Sequence, residues 1–221
     1  MSILKTTSID SLIKYKLNKE SFEIKDLDTI EDIIIDGCDI VGNPSSVDFN
    51  DLNSFHNLKS VTIANTMATS NDLKPISNIE SLVLTNAHIE SINSFKNLKK
   101  ITITSSTIDT PIKYDGLSNL EKFEINNTPI DDFEFLKSIP SLKVLKIYGK
   151  PDFSLKKIDF PLNIEYLSID SISNLDLDVL SKYNKLKTIS IDARQQELFK
   201  EAIEQIKSKD ITVLINDLIE I

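Results

Sequence analysis

The chain has no tryptophan, one cysteine, two histidines, two methionines and four glycines among 221 residues. Each scarcity excludes something. With Cys38 alone, no disulfide forms within the chain, which suits a reducing compartment. His56 and His88 lack the spacing to Cys38 or to each other that metal sites use. Gly37, Gly42, Gly116 and Gly149 compose no phosphate-binding loop, no G-x-G-x-x-G turn and no G-x-S-x-G elbow. The regular spacing of EF-hand calcium ligands is missing too. No run approaches the roughly 18 apolar residues of a membrane span. Residues 1–10 lack the apolar centre of a signal peptide. These absences lead us to expect a cytoplasmic protein with no cofactor, no metal and no enzymatic activity.

Basic residues are also in short supply: 25 Lys and Arg stand against 34 Asp and Glu, for a net charge of −9. Nucleic acid and anionic membranes both reward an excess of Lys and Arg, so neither is the expected partner. A basic protein partner suits this charge, although mild acidity also serves solubility alone. The 40% apolar and 27% charged composition is that of an ordinary folded chain.

What the chain does have is a phrase. Leu120-x-x-Phe123-x-Ile125 returns as Leu142-x-x-Leu145-x-Ile147, Ile164-x-x-Leu167-x-Ile169 and Leu186-x-x-Ile189-x-Ile191, with starts at 120, 142, 164 and 186. Upstream stand Ile30-x-x-Ile33-x-Ile35, Leu58-x-x-Val61-x-Ile63, Ile79-x-x-Leu82-x-Leu84 and Leu98-x-x-Ile101-x-Ile103. A fixed period of this size means stacked repeats rather than a wrapped core. Positions 4 and 6 alternate as in a strand with one buried face, and their β-branched bias agrees. The linking halves, such as Ile130-x-x-Phe133-x-x-Leu136-x-x-Ile139, space apolar residues by three, which predicts short 3₁₀ turns. Asn57, Asn78, Asn97 and Asn119 precede position 1 and are expected to bond nearby backbone. The early period slips, so residues 41–53 are expected to form an enlarged loop.

One repeat buries about six apolar side chains at roughly 1.5–3 kcal/mol each. Ordering its residues costs about 1–2 kcal/mol apiece in backbone entropy. A lone repeat therefore fails, and the open ends of a stack need covers. Residues 8–16 suit a short helix capped by Ser8, followed by a lead-in strand at 21–25. Residues 195–209 place Leu198, Phe199, Ala202, Ile203 and Ile206 on one helical stripe, and Ile211-x-Val213-x-Ile215 reads as a last strand. A single domain is expected over 1–221, with a cap at 1–29, about eight repeats at 30–194 and a helix-and-strand cap at 195–221.

These phrases resemble the leucine-rich repeat, L-x-x-L-x-L-x-x-N-x-L, and look most like its 22-residue internalin-type or SDS22-like subclass. The resemblance implies an α/β solenoid with a parallel sheet on its concave face, short 3₁₀ or irregular convex segments and a C-terminal capping helix. The family places Asn or Cys at position 9; here that position reads Cys38, Thr66, Ala87, Ser106, Thr128, Lys150, Ile172 and Arg194. The later repeats are expected to be less regular for that reason. Cys38 is expected to be an inward, packed thiol. The carboxylate pairs Asp131 with Asp132 and Asp176 with Asp178 fall in the linking halves, where no pocket is expected to shift a pKa.

Positions 3, 5 and 7 should point outward along the sheet. Three such side chains on eight strands suffice for a standard interface of about 20–30 residues per side. Its expected centre is Lys100, Lys122, Glu124, Lys146, Tyr148, Tyr166 and Asp170, since Tyr is enriched at interface hot spots; the bland alternative is a solvated sheet face. Leucine-rich repeats mostly bind proteins, so the resemblance implies a non-catalytic protein-binding module; a monomer is expected when it is free. Within that class the acidic charge favours an immunity or inhibitor protein that neutralises a basic toxin or enzyme. The alternatives are a regulatory subunit, an internalin-like adhesin, or a small-molecule-binding or catalytic protein.

Overall fold

A computed structural model describes residues 4–38, 47–112, 117–151, 153–159, 163–170, 172, 174–216 and 219–220. The chain forms two compact units, Met1–Lys99 with Thr104–Leu117, and Lys100–Ile103 with Ser118–Ile221.

The first unit opens with helices α1 (Thr7–Leu17) and α2 (Ile24–Leu27). Strands β1 (Asp32–Asp36), β2 (Ser60–Ala64), β3 (Met67–Ala68), β4 (Ser81–Thr85) and β5 (His88–Ile89) follow. Strand β6 (Lys100–Thr104) falls in the second unit apart from Thr104, and β7 (Thr107–Ile108) returns to the first. The second unit continues with β8 (Lys122–Asn126), β9 (Val144–Tyr148), β10 (Tyr166–Ile169), α3 (Leu177–Leu180), β11 (Thr188–Ile191), α4 (Lys200–Lys207), β12 (Thr212–Ile215) and β13 (Ile219–Glu220).

The main strands are parallel and stack in register, as the phrase predicts. In the first unit Ile33 lies beside Val61 and Val61 beside Leu82. In the second, one rank runs Phe123, Leu145, Leu167, Ile189 and Val213, and its companion runs Ile125, Ile147, Ile169, Ile191 and Ile215. Every position-4 and position-6 residue of the eight phrases is at most 2% exposed. Burying such side chains contributes roughly 1.5–3 kcal/mol each, so these ranks are the core. β12 pairs antiparallel with β13.

Five of the main strands hand over to their linking halves through a left-handed turn. Position 8 adopts a left-handed backbone at Asn65, Asn86, Ser105, Asn127 and Gly149, with φ of 51°, 49°, 48°, 50° and 64°. Asn tolerates this region better than most side chains, and Gly enters it freely. At Gly149 a Cβ would also lie 2.7 Å from the Asn127 nitrogen, so the turn below leaves no room for one. Asn57 meets the other expectation, donating from Nδ2 to the Asp28 carbonyl at 2.8 Å.

The spacing of three in the linking halves becomes 3₁₀ helix at Phe49–Ser54, Lys74–Ile76, Glu134–Ser138 and Leu155–Ile158. Elsewhere residues 90–99 are turn and bend without 3₁₀ helix, and the half after β10 forms α3, whose N-cap Asp176 accepts from the backbone nitrogens of Asp178 and Val179. In the first unit a small second sheet, β3-β5-β7, pairs two residues per repeat just after the left-handed turn. His88 lies in that sheet. Of the enlarged loop expected at 41–53, residues 41–46 lie outside the described residues. Its end is the Phe49–Ser54 helix, whose buried Asp51 accepts from the backbone nitrogens of Lys5 and Thr6 at 3.0 and 2.7 Å.

Both caps differ in detail from expectation. α1 starts at Thr7 with Thr6 at the N-cap, so Ser8 does not cap it. Residues 21–25 form no strand; Glu23 and Asp26 close a capping box, with Asp26 accepting from Glu23 N, and this starts α2. The helix expected at 195–209 splits into a 3₁₀ turn at Ala193–Gln195 and α4. Phe199, Ile203 and Ile206 are buried, but Leu198 is 71% exposed. It precedes α4, so the helical period does not govern where it points.

Position 9 is mixed. Ser106 makes a ladder contact, donating to the Thr104 carbonyl at 2.8 Å and accepting from the Ala87 nitrogen at 2.9 Å. Thr128 Oγ1 is buried with no hydrogen-bond partner among the described residues. Ile172 packs as an apolar side chain, while Lys150 turns to Asp131 at 3.0 Å. Cys38 is half-buried, not packed: its backbone nitrogen bonds to Asp36 Oδ1 at 2.9 Å, in a turn that ends the strand at the margin of the core.

Candidate binding face

In the second unit the strand order is β6-β8-β9-β10-β11-β12-β13. Because positions 4 and 6 are buried, positions 3, 5 and 7 of these strands present the opposite face. Register sets their neighbours. One row reads Lys122, Val144, Tyr166, Thr188 and Thr212, and the next reads Glu124, Lys146, Ser168, Ser190 and Leu214. Asn126 stands beside Tyr148, with Asp170 and Asp192 just past the ends of β10 and β11.

The residues expected at the centre are brought together in part. Lys146 Nζ lies 5.1 Å from the centroid of the Tyr166 ring and 5.9 Å from that of Tyr148. Both distances fall within cation–π reach of about 6 Å. Lys122 and Glu124 form their own ion pair at 2.7 Å. Asp170 sits farther along, accepting the Gly149 nitrogen with both oxygens at 3.0 Å. Lys100, on β6, is exposed, while the other six are half-buried. Half-burial matters, because these side chains have already lost part of their freedom before any partner arrives.

Two outward positions are withdrawn from solvent. Ser168 and Ser190 are 2% and 1% exposed. The Tyr148 hydroxyl donates to Ser168 Oγ at 2.9 Å, and the taller Lys146 and Leu214 flank the serine pair in register. The serines are therefore shadowed by longer neighbours. Beside them lies an open recess of about 260 Å³, lined by Tyr148, Ser168, Asp170, Ser190, Asp192 and Asn216. A hydrogen bond from Arg194 is the main cause holding the Asp192 carboxyl below its usual range. Sequence spacing gives no sign of this recess, because it is assembled from four strands. Its only trace there is Asp at position 7 of two successive repeats.

The remaining titratable candidates have structural partners. His56 Nδ1 meets Asp28 at 2.8 Å. His88 is held at both ring nitrogens, by Thr107 Oγ1 at 2.8 Å and Asp109 at 2.9 Å, an exposed hydroxyl–imidazole–carboxylate chain absent from the sequence expectations. Asp131 pairs with Lys150 and Lys157, and the Lys150 hydrogen bond is the first cause lowering its pKa. Asp132 accepts from the Glu134 nitrogen, and Asp176 caps α3. Among the described residues, no group of three or more His, Cys, Asp or Glu side chains is placed to hold a metal ion. No helix among them is long and apolar enough to cross a membrane.

No protein-family model matches this chain, and no curated protein does. Solved structures similar to it include two from Listeria monocytogenes. An internalin shares 14% identity at a TM-score of 0.43, over 96% of this chain and 89% of that one. Internalin C2 shares 15% identity at a TM-score of 0.45, over 86% of this chain and 94% of the other. The repeat architecture itself rests on the register and burial described above.

Proposed function

We propose that this chain is a non-catalytic protein-binding module whose partner docks on the outward face of β8–β11. One observation carries the reading: Lys146 lies over both Tyr166 and Tyr148 on a sheet face with half-buried neighbours. Aromatic and cationic side chains that are already ordered bind with little further entropy loss, which is why such clusters dominate interface energetics. The polar, partnered carboxylates and histidines elsewhere offer no comparable centre.

Lys146→Glu tests this. In a capture from native host extract, followed by titration of the recovered partner, the variant should bind at least about 30-fold more weakly, a hot-spot loss of about 2 kcal/mol. Its melting temperature should match the parent's. Unchanged affinity would sink the assignment. Within this class we favour an immunity or inhibitor protein, on the ground that a net charge of −9 favours encounter with a basic toxin or enzyme. Recovery of a non-toxic scaffold protein as the sole specific partner would remove that refinement and leave the binding role.

A further inference from the structure

The outward face of the second unit is electrically two-ended. At positions 3, 5 and 7 of its phrases the charged side chains are Lys100, Lys122 and Lys146 against Glu124, Asp170 and Asp192, with Arg194 following at position 9. The signs are partly segregated, with Glu124 standing among the lysines and paired to Lys122. All three lysines stand at positions 3 and 5 of β6, β8 and β9, whereas both aspartates stand at position 7 beyond β10 and β11. A uniformly basic surface laid here would confront the lysines. A uniformly acidic one would confront Asp170 and Asp192.

The acidic end also has shape. The recess there is lined by Tyr148, Ser168, Asp170, Ser190 and Asp192, and both serines are buried. Asp170 spends one lone pair of each oxygen on Gly149 and keeps the others. Arg194, 79% exposed, grips Asp192 from outside, and the charge of Asp170 acts on it as well. The chain thus already holds one guanidinium against this carboxylate pair. A planar guanidinium can stack on a phenol ring while its fork donates to carboxylates, a combination unavailable to an ammonium.

Building on the docking face proposed above, we infer that the protein partner inserts an arginine side chain into the recess between Tyr148, Asp170 and Asp192 while a carboxylate of the same strip meets Lys122 and Lys146. The charge pattern then fixes one orientation of the complex: overall charge governs encounter, and the feature recognised at this face is an Arg-and-acid strip.

The test uses the full chain and two defined probes, N-acetyl-arginine N-methylamide and its uncharged citrulline analogue, followed by backbone amide NMR. The arginine probe should give saturable shifts at the Gly149, Ser190 and Ala193 amides, and the citrulline probe none. Asp170→Asn, which can still accept from Gly149, should weaken arginine binding at least fivefold. Equal responses to the two probes, or shifts that do not saturate, would overturn the inference; this arm needs no variant, so it decides even if Asp170→Asn fails to fold. If the arginine probe misses the recess while Lys146→Glu still abolishes partner binding, the recess role falls and the docking face stands. If Lys146→Glu leaves partner binding intact, the face falls and takes this inference with it.

Discussion

Gly149→Ala perturbs the turn on which the stacking of the second unit depends. The glycine has φ of +64°, where an added side chain costs roughly 1–2 kcal/mol. The new Cβ would lie 2.7 Å from the Asn127 nitrogen and 3.0 Å from its Cα, both backbone atoms of the preceding turn. Backbone cannot rotate away as a side chain would, so an overpacking cost of roughly 1–3 kcal/mol adds to the first. A total near 3 kcal/mol should lower Tm by about 6–12 °C, at about 2–4 °C per kcal/mol for a chain of this length. Urea titration followed by far-ultraviolet circular dichroism measures the loss, and the slopes must be compared because repeat chains can lose cooperativity. Asn86→Gly is the control: it shares the left-handed φ, at 49°, and should change stability by less than about 1 kcal/mol. A loss under about 0.5 kcal/mol for Gly149→Ala would refute the claim that this position is sterically closed.

Other substitutions probe the core, the pH response and the face. Ile125→Asp should prevent folding of the second unit, since it buries an unpaired carboxylate between Ile147 and its neighbours, and loss of amide dispersion would report it. Phe123→Ala should cost about 3–5 kcal/mol, because Phe123 is fully buried and meets Phe135 edge-on at 5.4 Å. Tyr183 donates to the Ile158 carbonyl at 2.6 Å, and burial, with Asp159 second, pushes its phenol well above the usual 10.0. The unfolded chain then releases this proton first, so stability should fall as pH rises above about 10, and Tyr183→Phe should flatten that fall in alkaline denaturation curves. Tyr148→Ala should itself cost about 1–3 kcal/mol, since it uncovers Ser168 and removes its bond, which makes Lys146→Glu the cleaner test of the face.

The core was legible from the phrase because burial at positions 4 and 6 follows directly from strand alternation. The 3₁₀ segments were legible for the same reason, through their spacing of three. The left-handed position 8 was visible only as Asn, Asn, Ser, Asn and Gly. A string of Asn residues reads equally well as turn polarity. Leu198 and residues 21–25 depart from their local periodicity because α4 begins only at Lys200 and the Glu23–Asp26 capping box starts α2 where a strand is expected. Strand pairing made the neighbours Lys146, Tyr148 and Tyr166 foreseeable once the register was assumed. The burial of Ser168 and Ser190 was not, since it depends on the heights of side chains on adjoining strands.

The docking face is tested most directly by hydroxyl-radical footprinting of tyrosines with and without the partner captured from host extract. Tyr148 and Tyr166 are half-buried on the face, Tyr15 is 84% exposed on α1, and Tyr183 is buried. Partner binding should cut oxidation of Tyr148 and Tyr166 several-fold while leaving Tyr15 unchanged. Protection of Tyr15 with no change at Tyr148 and Tyr166 would contradict the account.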